Sequence, residues 1–493
     1  MHHRPGHPSR PTCPSRPACP RPLLAASALL TAALLAACSA PGGVPGAPGA
    51  ATGNLINSSA QPAQASHLSS AAVAAACTTA LPGQALPGVR LTEATLVASG
   101  SQRARQPNGT EVGSPLPEHC LLRGRIDERT GADGLPYHTG FELRLPSAFS
   151  GRFFYQRGGG NDGVIATAPA MRVSQGATIA AAWTVQQFLA VAPTDADGQR
   201  VLAQALSETQ LQRLAREVLA RCDAAGGLVD GLVNDPASCR MSAAPLQCPA
   251  GSAPAGATGP DAGCLSAPQA QALDRVMAGP RNRARTPLYF GWPWDPGIAD
   301  AGWRAWTLST ATQGPSSARH ITLMAGALGH EFVTPSDPGL STLNFDFERD
   351  PARMAAFHAE YNTADDVQLT GFRQRGGKLM LVHGTADPIF SASESVDYLQ
   401  RLTATHGEAA TAAFAREFLV PGMGHCAGGP ATDGYDGLTA LVRWVEQGEA
   451  PDRLIARGTG TLPTSLTRPL CPWPKLARYG GGDVNRAESF ACR

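Results

Sequence analysis

Leu379-Met380-Leu381-Val382-His383-Gly384-Thr385-Ala386-Asp387-Pro388 is a compact apolar run entered from Gly376-Gly377 that empties into a loop bearing an aspartate. A short apolar run bounded by turn residues reads as a buried strand. An Asp at its end either caps the helix that follows or presents its carboxylate to a neighbouring strand end. Further along, a second apolar run, Phe418-Leu419-Val420, leads into Pro421-Gly422-Met423-Gly424-His425-Cys426. A histidine on such a glycine-rich loop can turn its ring toward the neighbouring strand end, or can be a structural loop residue. If the two loops meet, His425 is an acid–base group and Asp387 fixes its tautomer and steadies the imidazolium.

Asp then His, each following a strand, is the second half of the Ser, Asp, His order of an α/β-hydrolase. Outward from these loops, the chain carries 40 basic and 39 acidic residues, which leaves no electrostatic case for a nucleic-acid partner. The N-terminus has Arg4, Arg10, Arg16 and Arg21 before an apolar run from Leu23 to Ala37, the order of an export signal. That run is too short to span a bilayer. Leu35-Ala36-Ala37-Cys38 resembles a lipobox, which predicts a signal over 1–37 and a lipid anchor on Cys38; the alternative is an ordinary cleaved signal peptide. Ser39 follows Cys38, where an Asp would hint at inner-membrane retention, so the expected location is the outer membrane or periplasm of a Gram-negative bacterium. Residues 38–75 are Ala, Pro, Gly, Ser and Gln with almost no large apolar residue, a composition that cannot bury a core and reads as a disordered tether.

Beyond Cys38 nine cysteines remain, an odd number for an exported chain. Sequence neighbours suggest Cys77 with Cys120, Cys222 with Cys239, Cys248 with Cys264 and Cys471 with Cys492, although spacing does not fix connectivity. Cys426, directly after His425, is then left alone.

Four stretches together resemble the tannase and feruloyl esterase family: His383-Gly384-Thr385-Ala386-Asp387-Pro388, Val420-Pro421-Gly422-Met423-Gly424-His425-Cys426, the loop Gln156-Arg157-Gly158-Gly159-Gly160-Asn161-Asp162-Gly163, and Val164-Ile165-Ala166-Thr167-Ala168-Pro169-Ala170. The similarity runs from about Cys77 to the end. It implies an α/β fold, an α/β-hydrolase core over 76–171 and 371–493 with a large inserted lid over 172–370. It also implies serine esterase activity on small aromatic esters without an organic cofactor. Backbone N–H groups of Gly158, Gly159 and Gly160 would form the oxyanion site, although Arg157 stands where the family has a small residue.

The family's nucleophile lies in Gly-Cys-Ser-x-Gly-Gly, and its cysteine bonds the one after the catalytic histidine. No serine here lies in Gly-x-Ser-x-Gly, and only Ser39 follows a cysteine. The glycine loop and the Asp-Gly-Val-Ile-Ala strand, separated in the family by strand–helix units, share Asp162-Gly163 here. An internal deletion explains both this junction and the unpaired Cys426. It would remove the central strands around the nucleophile, leave backbone edges exposed and suppress acyl transfer. The competing reading is a catalytically silent surface lipoprotein that binds aromatic ligands through the lid. A third, Cys426 as nucleophile, is disfavoured because adjacent loop residues rarely face each other.

Within the lid, a helix is expected from Ser207 to Ala224, and Trp292, Trp294, Trp303 and Trp306 either line a ring-binding pocket or form lid core. The stretch Cys222-Asp223 to Asp230-Gly231-Leu232 resembles the family's calcium loop. The resemblance implies side-chain ligands Asp223 and Asp230 and carbonyl ligands Leu228 and Leu232, with Gly226 where a middle Asp is expected. The alternative is a glycine-rich turn stapled by cysteines.

Overall fold

The computed structural model describes residues 75, 77, 87–105, 111–112, 114–131, 134–148, 152–155, 174–252, 262–310, 317–358 and 366–493. Cys38, the expected signal, the tether apart from residue 75, the loop Gly158–Gly160 and the Asp162-Gly163 junction lie outside the described residues. The chain divides into two compact units whose boundary crosses 158–170.

In the first unit, strands β1 (Val89–Val97), β2 (His119–Thr130) and β3 (Pro136–Pro146) form an antiparallel sheet in the order β1-β2-β3. Alternation decides its faces: Cys120 and Leu122 of β2 pack with Ala94, Leu143, Leu145 and Cys77, while Arg123 pairs with Glu93 and Glu142. After β3, the consecutive rings of Phe153, Phe154 and Tyr155 are 61%, 67% and 69% exposed and belong to no strand. Side chains of this kind ordinarily bury about 150–250 Å² each in a core.

The second unit begins with helix α1 (Gln175–Leu189), capped by Ser174. Helices α2 (Glu208–Cys222) and α3 (Ala267–Met277) open with capping boxes, Ser207 with Gln210 and Ser266 with Gln269, which satisfy N–H groups that have no partner within the helix. The helix expected from Ser207 to Ala224 is thus α2 with Ser207 as its cap. The apolar stripe of α2, Leu211, Leu214 and Val218, packs with Phe188 of α1 and Leu273 of α3. A short helix, α4 (Ala301–Thr307), is capped by Asp300.

Strand β4 (Leu379–Gly384) leads through helix α5 (Ala392–His406) to strand β5 (Ala415–Val420), which lies parallel to β4 with Leu381 opposite Glu417. The two strands read from the sequence are these two. Beyond β5, helix α6 (Gly437–Gln447) precedes two antiparallel pairs, β6 (Leu454–Arg457) with β7 (Thr467–Leu470) and β8 (Ala477–Tyr479) with β9 (Phe490–Cys492). Phe418 and Val420 of β5 pack against Leu454, Ala456 and Leu470.

Among the described residues the other edge of β4 pairs with no strand. Its first five residues are only partly buried, and an open cleft of about 860 Å³ runs beside it, lined by Phe372, Leu379, Leu381, Phe390, Met423 and Cys426. Parallel strands are ordinarily covered on both faces.

The four disulfides pair as the sequence neighbours suggested, Cys77–Cys120, Cys222–Cys239, Cys248–Cys264 and Cys471–Cys492, and Cys426 is free and exposed. Alkylation of the native protein followed by peptide mass spectrometry should therefore label Cys426, and label the eight bonded cysteines only after reduction. Protection of Cys426 before reduction would show that it has found a partner.

Candidate active site

The parallel register sets the site. Strands β4 and β5 end level, Gly384 opposite Val420, so the loops after them leave the same sheet end. They come into close contact: a Cβ on Gly384 would collide with the Met423 carbonyl. The Ala386 N–H donates to that carbonyl at 3.0 Å. This approach brings Asp387 and His425 together, with His425 Nδ1 2.9 Å from Asp387 Oδ2. Facing a carboxylate, Nδ1 carries the proton, which leaves Nε2 as the free basic nitrogen.

The carboxylate is held at its other oxygen too: Asp387 Oδ1 accepts from the N–H groups of Ile389 (2.8 Å) and Phe390 (3.1 Å). Asp387 therefore caps the turn that follows and also supports the histidine, so the two readings of that residue coexist. Burial alone would raise the Asp387 pKa, but the bonds from His383 and His425 outweigh it and hold the carboxyl well below the usual carboxylate range. Burial alone would lower the His425 pKa; the Asp387 hydrogen bond, with the Cys426 thiol beside the ring acting the same way, reverses this and pushes it up to about 9. Cys426 itself has φ +66°, a left-handed conformation that costs energy for a residue with a Cβ.

Three residues that the sequence did not flag complete the surroundings. His383 Nε2 donates to the Phe390 carbonyl (3.0 Å) and stands 3.7 Å from Asp387 Oδ2; its Nδ1 lies 2.9 Å from Ser395 Oγ. Buried Glu417 sits on β5 with its carboxyl pushed up to about 7 by burial. Asp295, 2% exposed, binds both loops: its Oδ2 accepts from the Thr385 hydroxyl (2.6 Å) and the Gly422 N–H (3.1 Å), and its Oδ1 from Gly297 N–H (2.8 Å). A Cβ on Gly297 would collide with the Ala386 Cβ and the Gly422 carbonyl, so only glycine admits this close approach. Trp294-Asp295-Pro296-Gly297 reads in sequence as a turn; nothing in it points to partners about a hundred residues away.

The four tryptophans separate. Trp292 donates its indole N–H to the Asp387 carbonyl (2.9 Å), and Trp306 meets the His425 ring edge-on at 5.6 Å, while Phe390 covers the same ring at 5.6 Å. Trp294 and Trp303 are buried in the apolar cluster built by α1, α2 and α3. Near Trp306 lies buried His320, lowered to about 4 by burial and hence neutral at pH 7.

In the stretch 223–232, where calcium ligands were expected, side-chain and carbonyl oxygens are engaged by the chain itself. Asp223 accepts from the N–H groups of Asp230 (3.1 Å) and Gly231 (2.8 Å), Asp230 Oδ2 accepts two N–H groups of Arg468 (2.9 and 2.7 Å), and the Leu232 carbonyl accepts from Asn234 N–H (3.1 Å). Calcium wants six or more oxygens converging at about 2.3–2.6 Å. With Gly226 in the middle position and a guanidinium on Asp230, the residues present do not fit that ion.

An Asp–His pair delivered by the ends of two parallel strands, beside aromatic rings, has the arrangement by which an α/β-hydrolase presents its acid and histidine. Residues 155–493 match the family model described as tannase and feruloyl esterase. The chain is 32% identical over 546 aligned positions to a mono(2-hydroxyethyl) terephthalate hydrolase of Piscinibacter sakaiensis, with 81% of this chain and 88% of that one covered. Because 81% of 493 residues falls far short of 546, more than a hundred aligned positions face no residue here. An uncharacterized esterase of Xanthomonas campestris is 30% identical over 375 positions, covering 68% of this chain and 61% of its own. In structure, the chain resembles feruloyl esterase B of Aspergillus oryzae with TM-score 0.66 at 18% identity, covering 85% of this chain and 99% of that one. The chain belongs to the tannase and feruloyl esterase family, a family of ester hydrolases with an α/β-hydrolase fold.

Two measurements check this geometry. In an NMR titration the His425 ring should titrate near pH 9 and drop by about 2 units in Asp387→Asn. Because that value lies above the ordinary 6.5, the pairing stabilises fully below 6.5 and fades as pH rises through about 9. Asp295→Ala, which removes the acceptor shared by Thr385, Gly422 and Gly297 and leaves Thr385 only the Val420 carbonyl and Gly422 only Thr385 Oγ1, should cost about 2 kcal/mol in chemical denaturation; a loss under about 0.5 kcal/mol would show that the loops do not depend on it.

Proposed function

We propose that this chain is an aromatic-ester hydrolase scaffold in which His425 is the acid–base residue and Asp387 its orienting carboxylate, with acyl transfer impaired for want of a serine nucleophile. The 2.9 Å contact between His425 Nδ1 and Asp387 Oδ2 carries the first part, since it leaves Nε2 free to take and return a proton. Trp292 and Trp306 at that pair, rather than the buried Trp294 and Trp303, are the tryptophans placed to meet an aromatic acyl group. The mono(2-hydroxyethyl) terephthalate and feruloyl esters named for the relatives set the substrate class to test first.

Four observations support the internal loss of the nucleophile segment at Asp162-Gly163. More than a hundred positions of the Piscinibacter sakaiensis relative face no residue here. Phe153, Phe154 and Tyr155 stand exposed outside any strand just before the junction. The edge of β4 that pairs with no strand among the described residues borders an apolar cleft, and Cys426 lacks the cysteine that the family places before its serine. The lid over 172–370, the oxyanion role of Gly158–Gly160, the lipid anchor on Cys38 and outer-membrane or periplasmic placement complete this reading.

The cleft of about 860 Å³ gives the second reading, a catalytically silent lipoprotein that binds aromatic ligands, its specific support; the volume falls within the range of small-molecule sites. Turnover of a feruloyl ester and of mono(2-hydroxyethyl) terephthalate separates the two. The expected rate is about 10⁴-fold or more below that of an intact serine esterase, with any remainder abolished in His425→Ala. Binding of ferulate without turnover favours the second reading, and turnover lost in Cys426→Ala but not otherwise would assign the nucleophile to that thiol. Sequencing the source gene across the codons for 158–170 should show a continuous junction; an intervening Gly-Cys-Ser would make the native protein a complete esterase.

A further inference from the structure

The loop at 223–232 has lost one carboxylate of the family's set at Gly226, yet it retains Asp223 and Asp230 in buried or nearly buried positions. Buried carboxylates need compensation, because an uncompensated charge is costly to desolvate. Each has it from the chain. Asp223 is 2% exposed and accepts two backbone N–H groups of its own loop. Asp230 meets the Arg468 guanidinium through Nε and Nη2, with both side chains nearly sealed from solvent, at 3% exposure for Arg468 and 7% for Asp230. The guanidinium is itself fixed: its Nη1 donates to the Thr467 carbonyl (2.9 Å) and its Cζ lies 4.5 Å from the centre of the Phe490 ring, a cation–π distance. Arg478 adds a second contact by donating to the Ala225 carbonyl. Arg478 lies within the segment stapled by Cys471–Cys492 and Arg468 just before it on β7, and the loop is stapled by Cys222–Cys239.

We propose that in this chain the Arg468 guanidinium replaces a calcium ion, so that the loop and the C-terminal strands are joined by a built-in cation and the protein is indifferent to divalent metal. Among the described residues no group of three or more His, Cys, Asp or Glu side chains converges as a metal set. A fixed guanidinium supplies one charge and planar donors where a calcium ion would demand six or more oxygens, which is the substitution a loop short of one carboxylate can accept. It also makes the joint insensitive to chelators, at the cost of being all or nothing at one side chain.

The test is made on the full chain with calcium chloride as the probe. Titration calorimetry should show no binding up to about 1 mM calcium, at the weak end of protein calcium sites, and the melting midpoint should be the same in EDTA and in calcium. A midpoint that rises by several degrees in calcium overturns the proposal. Asp230→Asn should lower the midpoint equally in EDTA and in calcium; a loss confined to calcium also overturns it. The double variant Gly226→Asp with Arg468→Gln, which returns the third carboxylate and removes the competing cation, should gain a calcium-dependent midpoint. Failure of a folded double variant to respond at all would sink the idea that Arg468 and the ion are alternatives. If that variant does not fold, the wild-type and Asp230→Asn melts decide.

Discussion

The buried carboxylate of Asp295 is the constraint on which the site depends. It stands between two loops that are distant in sequence, accepts from Thr385 on one and Gly422 on the other, and shields these contacts from water. Its burial raises its pKa, and the three donors around it act in the opposite direction. Loops that leave the ends of two strands are otherwise free to splay, and a histidine on a glycine-rich loop would lose far more conformational entropy in meeting its aspartate. With Asp295 in place, the spacing between Asp387 and His425 is set by the packing of main chain against main chain at Gly384, Ala386 and Met423.

From that constraint the electrostatics follow. Two histidines approach the same carboxylate oxygen, His425 at 2.9 Å and His383 at 3.7 Å, and the carboxyl is held ionised although it is 4% exposed. The His425 ring is held mainly as imidazolium at pH 7 beside that carboxylate, and its neutral form, with Nε2 unprotonated, is the proton-accepting state. Among the described residues β4 pairs with a strand on one edge only, and apolar side chains line the cleft beside it. The Asp387–His425 pair is held by contacts local to β4, β5 and the loop around Asp295.

How much of this was legible in the sequence varies from residue to residue. Asp387 and His425 were readable because each follows a compact apolar run, and the order of the two matches a chain order fixed by the topology of parallel sheets. The disulfides were readable because each joins cysteines close in sequence, with the thiol that lacked a neighbour left over. Trp292 and Trp306 could not be told from Trp294 and Trp303, since all four lie in one short aromatic stretch and only packing decides which rings face the histidine. Arg468 gave no signal at all: a lone arginine in a strand resembles any surface cation until the fold brings it to Asp230.

The sequence by itself determined the two strand-then-loop segments that carry Asp387 and His425, the absence of a Gly-x-Ser-x-Gly motif and the glycine at 226, because each is a property of neighbouring residues or of residue identity. The tertiary structure decided what joins across distance. It set the tie from Asp295 to both loops, the sharing of Asp387 between two histidines, and the guanidinium standing against Asp230. These are pairings between segments up to 238 residues apart, and the energy that selects them, the desolvation of buried charge and its compensation by a particular donor, exists only once the core has closed around them.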